Sequence, residues 1–263
     1  MGILNLTPDS FSDGLPNATL DDFLVRARQL IEDGCDLLDI GGESTRPGAK
    51  VISVEEESSR VLPFLKAFRR EFKKFPISLD TRKFEVAMQA LEYNIQVLND
   101  TDFLQDVRLL DLARQNDLFY VLMHCRGTPQ EMTSLTDYED GLLPSLFQEF
   151  EKKIVFIKER NFPLENLILD PGFGFAKTPE QCREMMMYLE AWQRFSLPLM
   201  IGISRKRFLQ FYTGENKPQD RDDISAKLAK IASEKGFCII RTHNVSLTKK
   251  VFQDTGLDQK ACL

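Results

Sequence analysis

The sequence predicts a (β/α)8 barrel, a single domain over residues 1–263. Three observations lead there. Short runs rich in Ile, Leu and Val recur eight times, as strands buried on both faces should. Amphipathic stretches with a 3.6-residue period separate them. The length of 263 residues suits eight such units, which typically take ~250 residues. A doubly wound open sheet is the alternative, and strand count alone does not exclude it.

The elements follow in order. Gly2-Ile3-Leu4 is the first apolar run, closed by Asn5. Leu20, Phe23, Leu24, Ala27, Leu30 and Ile31 then keep helical spacing. Asp36-Leu37-Leu38-Asp39-Ile40 is the second run, and Ser53-x-x-Glu56 after it reads as a capping box. Pro76-Ile77-Ser78-Leu79 leads to Asp80, with Phe84, Ala87, Met88 and Leu91 forming the next helical face. Ile95-Gln96-Val97-Leu98 ends at Asn99, and the run from Leu118 to Met123 ends at His124. Leu167-Ile168-Leu169 ends at Asp170, and Thr178-Pro179-Glu180-Gln181 starts a helix with proline at its first position. Leu199-Met200-Ile201 precedes Ser204, and Cys238-Ile239-Ile240 ends at Arg241.

Composition narrows the function. The chain is 43% hydrophobic and 28% charged, an ordinary globular balance. A net charge of −6 argues against a broad nucleic-acid face. The apolar runs fall far short of the ~20 residues a membrane helix needs. The start, Met1-Gly2-Ile3-Leu4-Asn5, has neither a basic region nor a cleavage site, so no secretory signal is read. Five cysteines without CxxC spacing favour a reducing cytoplasm over a disulfide framework or a zinc site.

Each apolar run ends on a polar residue: Asn5, Asp39, Asp80, Asn99, His124, Asp170, Ser204 and Arg241. In a barrel these ends converge at the C-terminal mouth, where active sites sit. One such residue is usually a cap or turn; a full ring is hard to obtain from capping alone. The loops add chemistry. Gly41-Gly42-Glu43-Ser44-Thr45-Arg46-Pro47-Gly48 reads as a turn cluster or as a mobile loop presenting Thr45 and Arg46 to an anionic ligand. Asp170-Pro171-Gly172-Phe173-Gly174-Phe175 permits close backbone approach, and Phe173 reads better as core. Ser204-Arg205-Lys206-Arg207 opens a helix and reads as an anion site rather than a solvated surface. With only His124 and His243 and no HExxH, tightly held zinc is disfavoured; Asn5 and mouth carboxylates suit Mg²⁺ bridging to phosphates.

Two long motifs, Asn5 to Gly14 and Asp39 to Gly48, closely resemble those of dihydropteroate synthases. Asp80-Thr81, Asn99-Asp100, Met123-His124, Asp170 to Phe175, Ser204-Arg205-Lys206 and Arg241-Thr242-His243 follow in the family's order, up to about Val245. The resemblance implies a TIM barrel that joins 6-hydroxymethyl-7,8-dihydropterin diphosphate to 4-aminobenzoate and releases pyrophosphate. By the same resemblance, Asp80, Asn99 and Asp170 line the pterin pocket, with Lys206 and Met123 against the ring. Asn5, Arg241 and His243 hold the diphosphate and Mg²⁺, with Asn5 the metal ligand, and Thr45 reaches the diphosphate. Phe11 and Asp13, with Arg46 and Pro47, belong to mobile loops that close over 4-aminobenzoate, and Phe175 lines that subsite. Asp80, Asp170, Lys206, Arg241 and His243 form the catalytic set. The family also implies a cytoplasmic homodimer acting on small molecules, without nucleic acid or membrane.

Some residues depart from the family pattern. An N-terminal leader hairpin under the barrel is expected to be missing, because the chain begins inside the first motif. Asn244 stands where aspartate is common, and Asp222-Asp223-Ile224-Ser225 lacks a glycine often found before that helix. The rival readings are a pterin-binding methyltransferase domain and a pterin-binding homologue without turnover.

Overall fold

The structure, a computed structural model, describes residues 1–7, 18–214 and 217–253. Strands β1 (Gly2–Asn5), β2 (Leu38–Gly41), β3 (Ile77–Asp80), β4 (Val97–Asp100), β5 (Phe119–Met123) and β6 (Leu167–Asp170) pair in chain order. Every pairing is parallel. β7 (Met200–Ile201) pairs in parallel with β8 (Ile239–Ile240). Two bridges close the ring: Leu169 beside Leu199 joins β6 to β7, and Gly2 beside Thr242 joins β8 to β1. At that second seam Ile3 N–H donates to Thr242 O and Thr242 N–H to Met1 O, both at 3.0 Å. Closure leaves no open edge, so the doubly wound alternative is excluded.

Around the ring lie α1 (Leu20–Glu32), α2 (Val54–Glu71), α3 (Phe84–Ala90), α4 (Val107–Gln115) and α5 (Leu142–Glu159). α6 (Pro179–Met187), α7 (Gln210–Thr213), α8 (Asp222–Glu234) and α9 (Val245–Gln253) complete it. The Thr178–Gln181 capping box forms in full, with Pro179 in the first turn. The Ser53 box forms by half. Ser53 Oγ accepts Glu56 N–H at 3.1 Å, but the Glu56 carboxylate turns to Arg60 at 2.5 Å. Met88 was expected on the buried face of its helix and is 48% exposed. α3 is short and buries Val86, Ala87 and Ala90 instead.

Two apolar layers result. Between strands and helices lie Leu38, Ile40, Leu79, Leu98, Leu122 and Leu169, packed with Phe64, Phe68 and Leu109 among others. Inside the ring, Val97, Val121, Ile168 and Met200 pack with Phe119 and Ile239 and fill its N-terminal half. Toward the C-terminal ends the interior turns polar. There Asp80 stands opposite Asn99, and Met123 opposite Asp170. An apolar floor under polar strand ends directs ligands to the mouth.

Candidate active site

Side chains alternate along a strand, so residues two apart share the interior. That parity brings Asp39, Asn99, Asp80 and Asp170 into one chamber, all but sealed from solvent. Asp39 is the third-from-last residue of β2 rather than its terminus, one layer deeper than Asp80. Arg241 reaches in from the end of β8. Its Nε lies 2.6 Å from Asp39 Oδ2 and its Nη2 2.8 Å from Asp80 Oδ2. Burial raises the Asp80 carboxyl above its ordinary pKa, and the Arg241 charge opposes that rise. The same carboxylates hold Arg241 charged against burial.

One acceptor in this chamber is buried and unmet. Asn99 donates its amide to Asp39 at 3.3 Å, yet its Oδ1 has no partner among the described residues. Asp170 takes Gly172 N–H on Oδ1 at 2.8 Å, and among the described residues no hydrogen bond meets Oδ2. A buried acceptor without a donor is costly. Asn99 Oδ1 is such an acceptor, and together with the Asp170 carboxylate it marks a place for a ligand edge rich in N–H. Burial raises the Asp170 pKa, opposed mainly by the Lys206 charge. Lys206 donates to Phe173 O, and its Nζ lies 4.5 Å from the Phe175 ring centroid. Burial pushes the Lys206 ammonium down to about 8.

The rim is cationic. Ser204 Oγ accepts His243 N–H at 3.1 Å and lies 3.0 Å from His243 Nδ1. In the tautomer protonated on Nε2, the Ser204 hydroxyl donates to Nδ1 and the Nε2–H remains to donate to a ligand. Burial and the charges of Arg205, Arg241, Arg46 and Arg26 push His243 well below its ordinary pKa. Arg26 on α1 also donates to His243 O at 2.9 Å, fixing the residue from behind. Neutral His243 amid arginines is built to receive an anion.

The loop after β2 overhangs this rim. Glu43 accepts Ile52 N–H at 2.8 Å and pairs with Arg82 at 2.9 Å and Lys83 at 3.0 Å. Both ends of the segment between are thus pinned, while Arg46 and Pro47 are exposed. Gly48 N–H reaches Pro129 O at 2.8 Å, joining this loop to the one after β5. Thr45 and Phe175 line a small open cleft with Arg82, Asp102, Cys125 and Met132. Phe11 and Asp13 lie outside the described residues.

Three expectations need correction. His124 does not face the chamber. It follows inward-facing Met123, so it turns outward, fully buried between β5 and α5, 3.0 Å from Glu149. Arg205, Lys206 and Arg207 do not form one anion site. Arg205 pairs with Asp222 at 2.7 Å, Lys206 turns to the loop after β6, and Arg207 is exposed. The helix they open is a 3₁₀ turn leading into the short α7. Phe173 is core as expected, stacked on Phe208 at 5.7 Å. Asn244 gains a reason: its amide donates to Asp222 at 3.0 Å, where an aspartate would repel. Sequence reading missed the cleft residues Arg82, Asp102 and Cys125, because the loops carrying them meet only in three dimensions.

A closed parallel barrel with an acceptor-lined chamber at the C-terminal ends of its strands is an enzyme architecture. The model of the family described as "pterin binding enzyme" matches residues 1–243. The chain is 38% identical over 252 residues to the dihydropteroate synthase of Synechocystis, covering 95% of this chain and 86% of that one. It superposes on the Yersinia pestis enzyme in a sulfonamide drug complex with a TM-score of 0.87 and 36% identity, covering 95% and 90%. A Xanthomonas albilineans dihydropteroate synthase with 4-aminobenzoic acid gives a TM-score of 0.87 at 33% identity, covering 96% and 90%. The chain belongs to the dihydropteroate synthase family of pterin-binding enzymes.

Proposed function

We propose that this chain condenses 6-hydroxymethyl-7,8-dihydropterin diphosphate with 4-aminobenzoate, giving 7,8-dihydropteroate and pyrophosphate. The observation that carries the reading is the buried, unpartnered Asn99 Oδ1 in one chamber with the Asp170 carboxylate, beneath the Arg241–His243 rim. A pterin offers several N–H donors on one edge, which a carboxylate accepts side by side. Asp80 shares that edge, and Lys206 and Met123 flank the ring. Arg241 and His243 meet the diphosphate, with Thr45 and Arg46 from the loop above.

In the reaction the bond from the pterin methylene carbon to the diphosphate oxygen breaks, and its electron pair leaves on that oxygen. Arg241 and the Nε2–H of His243 stabilise the leaving charge. The positive charge left on the pterin methylene is offset by Asp80 and Asp170. The amine of 4-aminobenzoate attacks that carbon, and its surplus proton goes to solvent or to pyrophosphate. The Thr45–Phe175 cleft seats the aryl acid, and loop closure keeps water from the cation. A sulfonamide presents a similar arylamine and competes there.

Mg²⁺ fits as a companion of the diphosphate, not as a resident ion. No group of three or more His, Cys, Asp or Glu that could hold a metal is found among the described residues, and the rim around His243 is itself cationic. Asn5 would supply one oxygen, and phosphate and water the rest; the ion would neutralise leaving-group charge. The reading includes one barrel domain over 1–263, a cytoplasmic location and a homodimer. Among the described residues no helix is long and apolar enough to cross a membrane, and Phe211 and Tyr212 on α7 are exposed. Pyrophosphate release from the pterin diphosphate, assayed with and without 4-aminobenzoate, tests the reaction. Release that does not depend on the arylamine, or none at all, refutes it.

A further inference from the structure

The loop after β6 carries Phe175, yet its own sequence does little to hold it. Gly172, Gly174 and Ala176 all take positive φ, at 69°, 77° and 48°. The last of these is a conformation that a side chain disfavours. Besides the Lys206 bond to Phe173 O and the Gly174 N–H bond to Cys182 Sγ, what fixes the loop is Lys177. Its Nζ lies 3.2 Å from Gly172 O, 3.0 Å from Phe175 O and 2.8 Å from His124 Nδ1. Burial brings the Lys177 ammonium down to about 7; in the charged form all three of its protons are used inside the protein, and the residue is 7% exposed. It therefore has no donor left for a substrate.

The support continues outward. His124 takes the Lys177 proton on Nδ1, so its own proton sits on Nε2, 3.0 Å from Glu149 Oε2 on α5. Arg126 pairs with the same carboxylate. Phe103 and Phe150 pack on the imidazole at centroid distances of 4.8 and 6.0 Å. Burial pushes His124 down to about 3, so it stays a neutral acceptor. Tyr138 donates to Ala176 O at 2.9 Å, fixing the strained residue from the other side.

We propose that Lys177 is a positioning residue for the second-substrate subsite. Oriented by His124 and Glu149, it clamps the carbonyls of Gly172 and Phe175 and so sets the Phe175 ring against Lys206 and the cleft. The inference rests on the proposed condensation for what occupies the cleft. Asp170 takes one bond from the loop, Gly172 N–H, but its backbone is held by the β6 ladder, so the pterin side depends less on the clamp.

Lys177→Met removes the clamp at similar length. In the ligand-free protein, amide hydrogen exchange across residues 171–177 is expected to quicken about tenfold or more, while β6 stays protected. In turnover, KM for 4-aminobenzoate is expected to rise about tenfold, with kcat and KM for the pterin diphosphate changing far less. Glu149→Gln keeps the shape of the relay, is the fallback if Lys177→Met does not fold, and is expected to move both readouts the same way by a smaller amount. Unchanged exchange and KM in both variants overturns the proposal. So does an equal rise in both KM values with a lowered Tm, which is general loosening. If the wild type releases no pyrophosphate, the proposed reaction fails, while the exchange experiment still decides the clamp.

Discussion

Arg241 ties Asp39 to Asp80 across the barrel chamber, its guanidinium 2.6 Å from the first carboxylate and 2.8 Å from the second. Arg241 directly follows β8, and Asp39 and Asp80 lie in β2 and β3, so a single side chain ties the end of the last strand to two early ones. The lock also places a cation at the chamber's upper wall. Structure and the proposed diphosphate site thus draw on the same group.

Arg241→Ala should therefore fail in two separable ways. It leaves Asp80 buried without its cation, and breaking such a pair costs about 3–5 kcal/mol. Burial already raises the folded-state pKa of Asp80, and removing Arg241 raises it further. A carboxyl with a raised folded pKa favours folding at low pH, and stability falls as pH climbs from its unfolded value toward the folded one. The Tm deficit of the variant should accordingly be smaller at pH 5 than at pH 8. Binding should weaken far more for pterin diphosphate than for the pterin without it. Equal losses for both ligands would make Arg241 purely structural.

Asp170→Asn preserves shape and replaces one acceptor oxygen with a donor that faces the donors of the pterin. Loss of this charge-assisted pair is expected to cost roughly 2–4 kcal/mol of pterin binding by calorimetry. Unchanged affinity would remove Asp170 from the pocket.

Gly172→Ala tests the loop backbone. A Cβ there would lie 1.9 Å from His124 O, at a φ of +69°. Neither the His124 carbonyl nor the turn can yield, so a destabilisation above about 3 kcal/mol is expected, read as a collapse of Tm or of soluble yield. A near-normal Tm would show that β5 and this loop are less tightly joined.

The chain's own pattern revealed much of this. Eight apolar runs and the polar residues ending them gave the barrel and, by parity, Asp80, Asn99 and Asp170. Parity also explains the error at His124: it ends its run like the others, but it follows an inward residue and so faces out. Arg205 and Lys206 are adjacent in sequence and diverge in space, because Arg205 adopts a positive φ of 62°. Local spacing reports which face a side chain takes only while the backbone stays regular. Lys177 left no periodic signal, since three carbonyl and imidazole acceptors from two loops bury it.

Lys206 should set the alkaline limit of activity. Its ammonium, brought down to about 8 by burial, is charged below that pH and neutral above it. If the charged form orders the loop through Phe173 O and flanks the pterin, kcat/KM should fall above pH 8. Lys206→Arg, which does not titrate there, should lose that limb even at reduced activity. A limb that persists in the arginine variant belongs to another group.

The order of binding follows from the rim. Arg46, Arg205, Arg241 and Arg26 all bear on His243; carboxylates already partner Arg205 and Arg241, and without an anion the repulsion between Arg46 and Arg26 works against closure of the loop carrying Arg46. Diphosphate removes that repulsion and offers Arg46 and Thr45 a partner. The cleft between Thr45 and Phe175 then gains its upper wall, and the aryl ring gains enough apolar contact to stay. Labelled 4-aminobenzoate should therefore bind the empty protein weakly. It should bind about tenfold more tightly or better, at least 1.4 kcal/mol, once pterin diphosphate, or the pterin with pyrophosphate, is present. Raising salt in the empty protein should mimic a little of this effect by screening the arginines. Arg46→Ala should abolish the gain while leaving the weak binding intact. Equally tight binding with and without the diphosphate, measured by equilibrium dialysis, would show the cleft to be complete before the first substrate arrives and the order to be random.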